Sequence, residues 1–593
     1  MHGGGATRTD MASSGAASGG AASGGSESGG AASDGPVTAP VPAVAVVDGG
    51  TAWQGWAPGE AEAGTALLNC LVRELAEPRR GGASGYRLTG TGRTLSVGQG
   101  RWPQPPLAVD GVPVPGFDAL LALVEDEARA RTGMDNATLA AEIRDSRDVV
   151  ATLLAARAST TPASHEGDRS DPGDRHEQHD PYDLYLRSEQ ALLAGHRYHP
   201  APKTRGGGVP ESWLPYAAEA GARFPLTLLG VREDLLGGEG STGAVDALWG
   251  DAAPPGYRVL PAHPWQLDLL RTGPTSAPAQ AAFADGRLRV LGRTEELVHA
   301  TSSLRTVYLP DADLALKFSL EVRITNDIRR LWLRDLRWLR PVDEVLASLP
   351  IAPLVLADQG YRTLAGHGED GWEAYAVLQR EGFARRLRPG LTPLLAAGVS
   401  EGFAGNPLDG LTAEQAFVWW LRYVELLAPP ALDALRDHGV VLECHLQNVL
   451  VAVDGEGRPE QVLFRDHEGV KLTVERHGAL LSRFGPDVPN PGVTAAKGRD
   501  RLLYCLVVNN LSEIAGAITA RHPSLADELW PAARRLLTGL GDHAAHAAHA
   551  AHADYADVLD VPHIPGKTNL LLRWLDADGG DSTYTPLPNP LAR

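Results

Sequence analysis

Cysteine is scarce in this 593-residue chain: Cys70, Cys444 and Cys505 lie far apart. Their number and spacing exclude a disulfide framework and a Cys-x-x-Cys metal pair, and they fit a reducing cytoplasm. Positive charge is also short, with 54 Lys and Arg against 73 acidic residues and a net charge of −19. That balance argues against a nucleic-acid binder and a polybasic membrane-surface protein, so any anion must be held by a local basic cluster. The N-terminus lacks a basic region leading into an apolar core and cleavage site, and no bilayer-spanning run of about eighteen uncharged apolar residues is expected. The chain therefore reads as soluble, unexported and without a membrane partner.

Large apolar side chains are nearly missing from residues 1–43, a Gly, Ala and Ser tract that cannot bury enough surface to offset its ordering entropy. We expect a disordered tail there. The rest is too long for one core of ordinary size and predicts two or three packed lobes. Helical spacing in "TALLNCLVRELAE", "GFDALLALVEDEARART" and "ATLAAEIRDSRDVVATLLAARAS" predicts a helical lobe over 44–184, ending in the polar loop "SHEGDRSDPGDRHEQHD". Strand patterns in "YRVLPAHPWQ", "LRTVYLP" and "LALKFSLEVRIT" predict a sheet-containing lobe over 185–409. In "DIRRLWLRDLRWLR", Ile328, Trp332, Leu336 and Leu339 fall on one helical face, with Arg330, Arg334 and Arg337 as a solvated stripe on another. Long amphipathic runs around a two-strand unit make 410–593 an α+β lobe. The repeat "HAAHAAHAAHA" spaces His543, His546, His549 and His552 by three, which drifts about 60° per step on a helix and suits no closed zinc site. It reads as a tolerated insertion.

Polar residues concentrate in "ATSSLRTVYLPDADLALKFSLEVRITNDIRR". Ser303, Arg305 and Thr306 share a short motif, Lys317 stands in an apolar strand, and Asn326 and Arg329 mark a strand-to-helix junction. A buried lysine among apolar residues is costly without a compensating anion. Nucleotide phosphates would supply it; pairing with Asp311, Asp313 or Glu321 is the alternative.

A second cluster, "ECHLQNVLV", is followed by a hairpin and then by Asp466 in "LFRDHEG". His445, Gln447 and Asn448 with Asp466 match the way nucleotide-dependent transferases place Asn and Asp at the ends of adjacent strands to hold Mg²⁺. A phosphotransferase of that type would need an Asp base at the position of Gln447. Its absence points instead to attack on the α-phosphate by an already ionised carboxylate, giving an acyl-adenylate. A third cluster, His196, His199, Lys203 and Arg205 in "GHRYHPAPKTRGG", suits a multiply charged carboxylate better than a metal.

Taken in order, "GHRYHPAPKTRGG", "HPWQ", "SSLRT", "LKFSLEVRITNDIRR", "ECHLQNVLV", "FRDHEG" and "KTNLLLRW" resemble the siderophore synthetases of the IucA/IucC family, over about residues 185 to 575. The resemblance implies an α+β, three-lobed fold of fingers, palm and thumb, the palm distantly like a kinase C-lobe. It implies ATP- and Mg²⁺-dependent adenylation of citrate or a related di- or tricarboxylate. Condensation with an amine, hydroxylated amine or alcohol would follow, with release of AMP and pyrophosphate, in an enzyme that often dimerises. Carried over by motif, Ser303, Arg305, Thr306, Lys317, Asn326 and Arg329 would hold ATP, with Gln447 and Asn448 lining the nucleotide region. Arg305, Lys317 and His445 would be catalytic, His199, Lys203, Arg205, Arg305 and His445 would meet the carboxylate, and Glu443 and Asp466 would hold Mg²⁺. Where the family reads Gly-His-Pro this chain has Gly195, His196, Arg197. A small-molecule kinase releasing ADP and a non-catalytic nucleotide or siderophore binder are the competing readings.

Overall fold

The computed structural model describes residues 37–38, 53–79, 85–160, 181–271, 276–324, 327–365, 372–483, 491–546, 555–577 and 583–592. Most of the 1–43 tract, the loop after residue 160, Asn326, His549 and His552 lie outside them. The architecture is α+β.

Near the N-terminus, helices Glu60–Leu75, Phe117–Thr132 and Ala137–Thr160 form where the apolar spacing predicts them. Leu67, Leu68 and Leu71 pack on Leu120, Leu121 and Val124. A helical lobe is nevertheless only part of this region. A five-stranded sheet, from Ala76–Pro78 to Val112–Pro113, runs between the first two helices. Its strands have two to six residues and are broken by Gly and Pro, so no alternating run announces them. Leu570 and Trp574, near the other end of the chain, complete the same apolar core.

The middle of the chain builds a nine-stranded sheet. In it the strand Leu314–Phe318 lies between Thr306–Leu309 and Val377–Glu381, antiparallel to both, with Lys317 opposite Thr306 on one side and Leu378 on the other. Side chains alternate along a strand. Leu314, Leu316 and Phe318 therefore enter the core while Thr306, Lys317 and Arg380 share the opposite face. Asp358, paired in register with Arg380, extends that polar face by one strand.

The predicted helix from Ile328 starts later, at Leu333, and runs to Ala347. Asp327–Ile328 instead pairs with Arg323–Ile324 in a two-stranded ladder. Arg330 is consequently no part of a solvated stripe: its side chain is 9% exposed and forks onto Glu321 with two 2.7 Å bonds. Leu336 and Leu339 are buried as expected.

Helix Ala413–His438 begins with a capping box, Thr412 Oγ1 accepting from the Gln415 amide at 3.2 Å and Gln415 Oε1 from the Thr412 amide at 2.9 Å. It ends at Gly439 with φ 66°. The predicted hairpin forms as Val449–Val453 and Pro459–Phe464, in which Val449 pairs with Phe464. That register brings His445–Asn448, before one strand, beside Asp466–Gly469, after the other.

One helical run, Ala495–Arg521, is long and apolar enough by length and composition to cross a membrane, with mean hydropathy 1.4 in its most apolar window, although Glu513 interrupts its apolar stretch. That window is 72% buried against protein, as in a core helix. Its middle, Tyr504–Leu511, widens into π-helical turns, from which Asn510 donates to the Cys444 carbonyl at 3.0 Å and accepts from Tyr423 Oη at 2.7 Å.

Candidate active site

Lys317 Nζ lies 2.8 Å from both Asp466 carboxylate oxygens and 3.0 Å from Glu468 Oε2. The lysine is 3% exposed, whereas Asp466 and Glu468 are each 23% exposed and reachable by a ligand. Arg305 donates to Glu468 Oε2 at 3.3 Å and to the Arg329 carbonyl at 2.9 Å. Arg380 binds Asp358 and approaches Asp466 Oδ1 at 3.3 Å. Three cations thus face three carboxylates, and the site neutralises itself when no anion is bound.

Burial alone would raise the Asp466 pKa. Lys317, Arg380 and Arg305 outweigh it and hold the carboxyl well below its ordinary value. Asp466 also has φ 72° and Leu304 φ 65°, left-handed backbone that non-glycine residues seldom adopt. Both bends occur where the chain aims polar groups into the site.

Of the alternatives for Lys317, neither Asp311, Asp313 nor Glu321 is its partner. Asp313 accepts from Tyr308 Oη at 2.9 Å, and Glu321 takes Arg330.

His445 Nδ1 accepts from the Gln447 amide at 3.2 Å, so the proton of the neutral ring is on Nε2. Burial pushes its pKa down, Glu443 and Asp466 opposing. At neutral pH the group is a hydrogen-bond donor and not a base. Gln447 Nε2 donates to Ser302 Oγ at 3.3 Å, Asn448 Nδ2 to the Glu443 carbonyl at 3.1 Å, and Ser303 Oγ to Thr306 Oγ1 at 2.6 Å.

Glu443 faces a different group. Its carboxylate accepts from Arg501 at 2.7 Å, and Lys471 and Lys567 feel the same charge. Burial, then Arg501, depresses both ammonium pKa values, with Glu443 opposing. Arg501 bonds this carboxylate, while Lys567 and Lys471, the latter also facing Asp335, act on it through space. A Cβ at Gly469 would lie 1.6 Å from Glu443 Oε2, so any larger residue there would push this carboxylate aside.

The third cluster is buried and partly neutralised. Lys203 and Arg205 both bind Glu219, and the Arg205 amide donates to Asp145 at 2.7 Å. His199 Nδ1 accepts from the Ala201 amide at 3.1 Å. Burial, then Arg73 and, more weakly, His445 and Lys567, drive the His196 pKa down to about 3. His263 caps the helix Pro264–Leu270 by accepting from the Trp265 amide and packs among Phe224, Phe318 and Tyr216, a structural role.

Arg197, where the family pattern has proline, is a clasp. It bonds Glu62 at 2.5 Å and Glu401 at 2.8 Å, with Trp102 4.5 Å from its guanidinium. Removing one member of a buried charged set costs about 3 kcal/mol or more. Arg197→Ala is expected to lower the denaturation midpoint by a corresponding amount; an unchanged midpoint would refute the clasp.

Among the described residues no three His, Cys, Asp or Glu side chains cluster as a metal cage. Mg²⁺ needs none, since one or two carboxylates suffice when phosphates and water supply the rest. Asp466 and Glu468, both partly exposed carboxylates, fit that donor set.

The sequence model of the IucA / IucC family matches residues 184–397. The rhizobactin siderophore biosynthesis protein RhbC of Rhizobium meliloti is 30% identical over 376 residues, covering 56% of this chain and 63% of RhbC. The L-2,3-diaminopropanoate–citrate ligase of Staphylococcus aureus is 29% identical over 446 residues, covering 69% of this chain and 75% of the ligase. The ATP-bound aerobactin synthetase IucA of Klebsiella pneumoniae superimposes with a TM-score of 0.72 at 20% identity, over 90% of this chain and 99% of that one. The chain is thus similar to the IucA/IucC family in sequence over residues 184–397 and to its solved members in fold over 90% of its length.

The IucA/IucC match contains Ser303, Arg305, Lys317 and Arg380, while His445 and Asp466 lie in a second match, to the ferric iron reductase FhuF-like transporter family over 418–582. Thiolate-bound iron clusters take several cysteines. That stretch holds only Cys444 and Cys505, both buried, their thiols pushed up first by burial, Cys505 to about 12. Such a cluster does not fit these donors.

Several site residues escape the sequence reading. Glu468 stands inside a motif already singled out, two residues past Asp466, and could have been taken as its companion. Arg380, Asp358, Arg465 and Glu189 carry no local signal.

Proposed function

We propose that this protein is an ATP-dependent ligase of siderophore biosynthesis. It adenylates citrate or a related di- or tricarboxylate and passes the acyl group to an amine, hydroxylated amine or alcohol. The observation that carries this reading is the Lys317–Asp466–Glu468 cluster, with Arg305 and Arg380 beside it, in a chain that matches the IucA/IucC family model over residues 184–397. The names of relatives agree with it: one ligates diaminopropanoate to citrate, another is a spermidine–citrate ligase.

A carboxylate oxygen of the acid attacks the α-phosphorus, and the bond to the bridging oxygen breaks as pyrophosphate leaves. The amine nitrogen or alcohol oxygen then attacks the acyl carbon, AMP leaves, and the nucleophile gives up its proton. Lys317 and Arg305, with Arg329 nearby and Ser303 and Thr306 on the adjoining turn, would meet the phosphates as their present carboxylate partners turn to the cation. Asp466 and Glu468, rather than the Arg501-bound Glu443, would hold Mg²⁺, which when bound neutralises phosphate charge. His445 donates through Nε2 to an acid or acyl oxygen. The surplus cations Lys471, Lys567 and Arg501 around Glu443 suit the remaining carboxylates of a polyacid, and Lys203 and Arg205 suit them only if Glu219 yields. Gln447, bonded to Ser302 where a kinase would need a carboxylate base, favours AMP over ADP.

We further assign the chain to the fingers, palm and thumb arrangement, with the kinase-like part around the hairpin. Separate apolar cores for the large sheet, the N-terminal helices and the C-terminal helices support it. The buried free cysteines suit a reducing cytoplasm. Incubation with ATP, Mg²⁺, a panel of citrate, succinate and 2-oxoglutarate, and hydroxylamine as surrogate nucleophile tests the reaction. Acid-dependent AMP and pyrophosphate are expected; ADP would establish a kinase instead, and no turnover with any acid would favour a binding protein.

A further inference from the structure

Glu189 touches no residue of the phosphate or metal cluster, yet it is fully buried at the end of helix Pro181–Gln190, 276 residues before the arginine it binds. A carboxylate in that position costs several kcal/mol unless every oxygen is satisfied. It is satisfied from two directions. Glu189 binds both terminal nitrogens of Arg465, Nη2 at 3.3 Å, and its Oε2 accepts from the Ser302 amide at 3.1 Å and the Ser302 hydroxyl at 2.7 Å.

The bonds continue into a closed circuit. Ser302 Oγ also receives Gln447 Nε2 at 3.3 Å, and Arg465 Nε donates to the Gln447 carbonyl at 3.0 Å. Glu189, Ser302, Gln447 and Arg465 thus form a ring across four segments. Three of its members immediately precede the groups assigned above: Ser302 leads into Ser303 and Arg305, Gln447 into Asn448, and Arg465 into Asp466. The left-handed residues Leu304 and Asp466 follow Ser302 and Arg465 by two positions and one, so the circuit also fastens the chain beside both bends.

We propose that Glu189 is a positioning residue: through Ser302 and Arg465 it sets the distance between the turn that would grip the phosphates and the loop that would carry the metal. This rests on the adenylating reading above. Arg305 and Glu468 also join the two segments, and the ring adds a second tie between them through the carboxylate and Gln447.

Ser302→Ala separates this role from a merely structural one, since it removes the hydroxyl that joins the turn to Glu189 and to Gln447 and leaves only the backbone amide on Glu189, with the buried Glu189–Arg465 pair intact. Misplacement of reacting groups by about 1 Å costs up to roughly 100-fold. Ser302→Ala is expected to keep the wild-type melting temperature, weaken ATP binding measured calorimetrically without acid, and lower kcat/KM for ATP by about 10-fold or more. Glu189→Gln is expected to lower kcat/KM further, with Glu189→Asp restoring part of it. If Ser302→Ala binds and turns over ATP as the wild type does, or if Glu189→Gln alters only the melting temperature, the positioning role is overturned. A wild-type protein that binds ATP but forms no AMP with any acid would overturn the adenylation reading, and the calorimetric comparison of Ser302→Ala would still decide the positioning of the nucleotide turn.

Discussion

Replacing Lys317 with alanine is expected to cut acid-dependent AMP release by about 100- to 1,000-fold, the usual loss when a preorganised stabiliser of developing charge is removed. The sequence alone suggests that the fold would be indifferent to this change. The structure argues otherwise. Lys317 is 3% exposed and is the shared counter-charge of Asp466 and Glu468. Breaking a buried charge pair from one side costs about 3–5 kcal/mol. Arg380 and Arg305 remain to hold one carboxylate each, so Lys317→Ala should reach the lower part of that range. The two effects are separable: turnover is measured under conditions where circular dichroism shows the variant folded, and stability by urea denaturation. Wild-type AMP release from folded Lys317→Ala would sink the assignment of the site, and an unchanged urea midpoint would sink the account of the cluster.

Asp466→Asn is expected to lose AMP release to a similar extent, roughly 100-fold or more. The amide keeps the shape but leaves Lys317 and Arg380 short of a negative charge and gives a poor Mg²⁺ ligand. Its second signature is in acid. Because the Asp466 carboxyl is held well below its unfolded value, the stabilisation it contributes is fully present above the unfolded pKa of about 3.9. It is lost as pH falls from there through the folded pKa. Melting temperatures of wild type and Asp466→Asn between about pH 5 and pH 2 should therefore converge as the medium is acidified. A constant gap across that range would mean that Asp466 is not ionised in the folded protein.

Legibility in the sequence follows the range of the interaction that shapes each part. Helices Glu60–Leu75 and Ala413–His438, and the hairpin after Asn448, are written in spacing, caps and turn residues within a few positions. Lys317 stood out because its four neighbours in "LALKF" are apolar. Its partner did not, because Asp466 is 149 residues away and only the strand order brings it near. Arg380 and Asp358 look like ordinary charges of a strand until the register puts them on one face of the sheet with Lys317. The sheet inside the N-terminal region was missed for a different reason: its strands are too short for a period of two to show. The spacing predicts too early a start for the helix Leu333–Ala347 because Ile328 and Trp332 continue its apolar pattern upstream.

The bond between Lys317 and Asp466 has a consequence for the order in which the molecule comes into being. Ribosomes add about 5–20 residues per second. The 149 residues between the two partners therefore take roughly 7–30 s to synthesise, during which Lys317 has emerged and its counter-charges have not. A nascent chain in that interval cannot close the face of the large sheet around an unpaired ammonium. The face stays hydrated until "RDHEG" leaves the tunnel, and a message truncated before that point yields a sheet whose polar face has nothing to shut it.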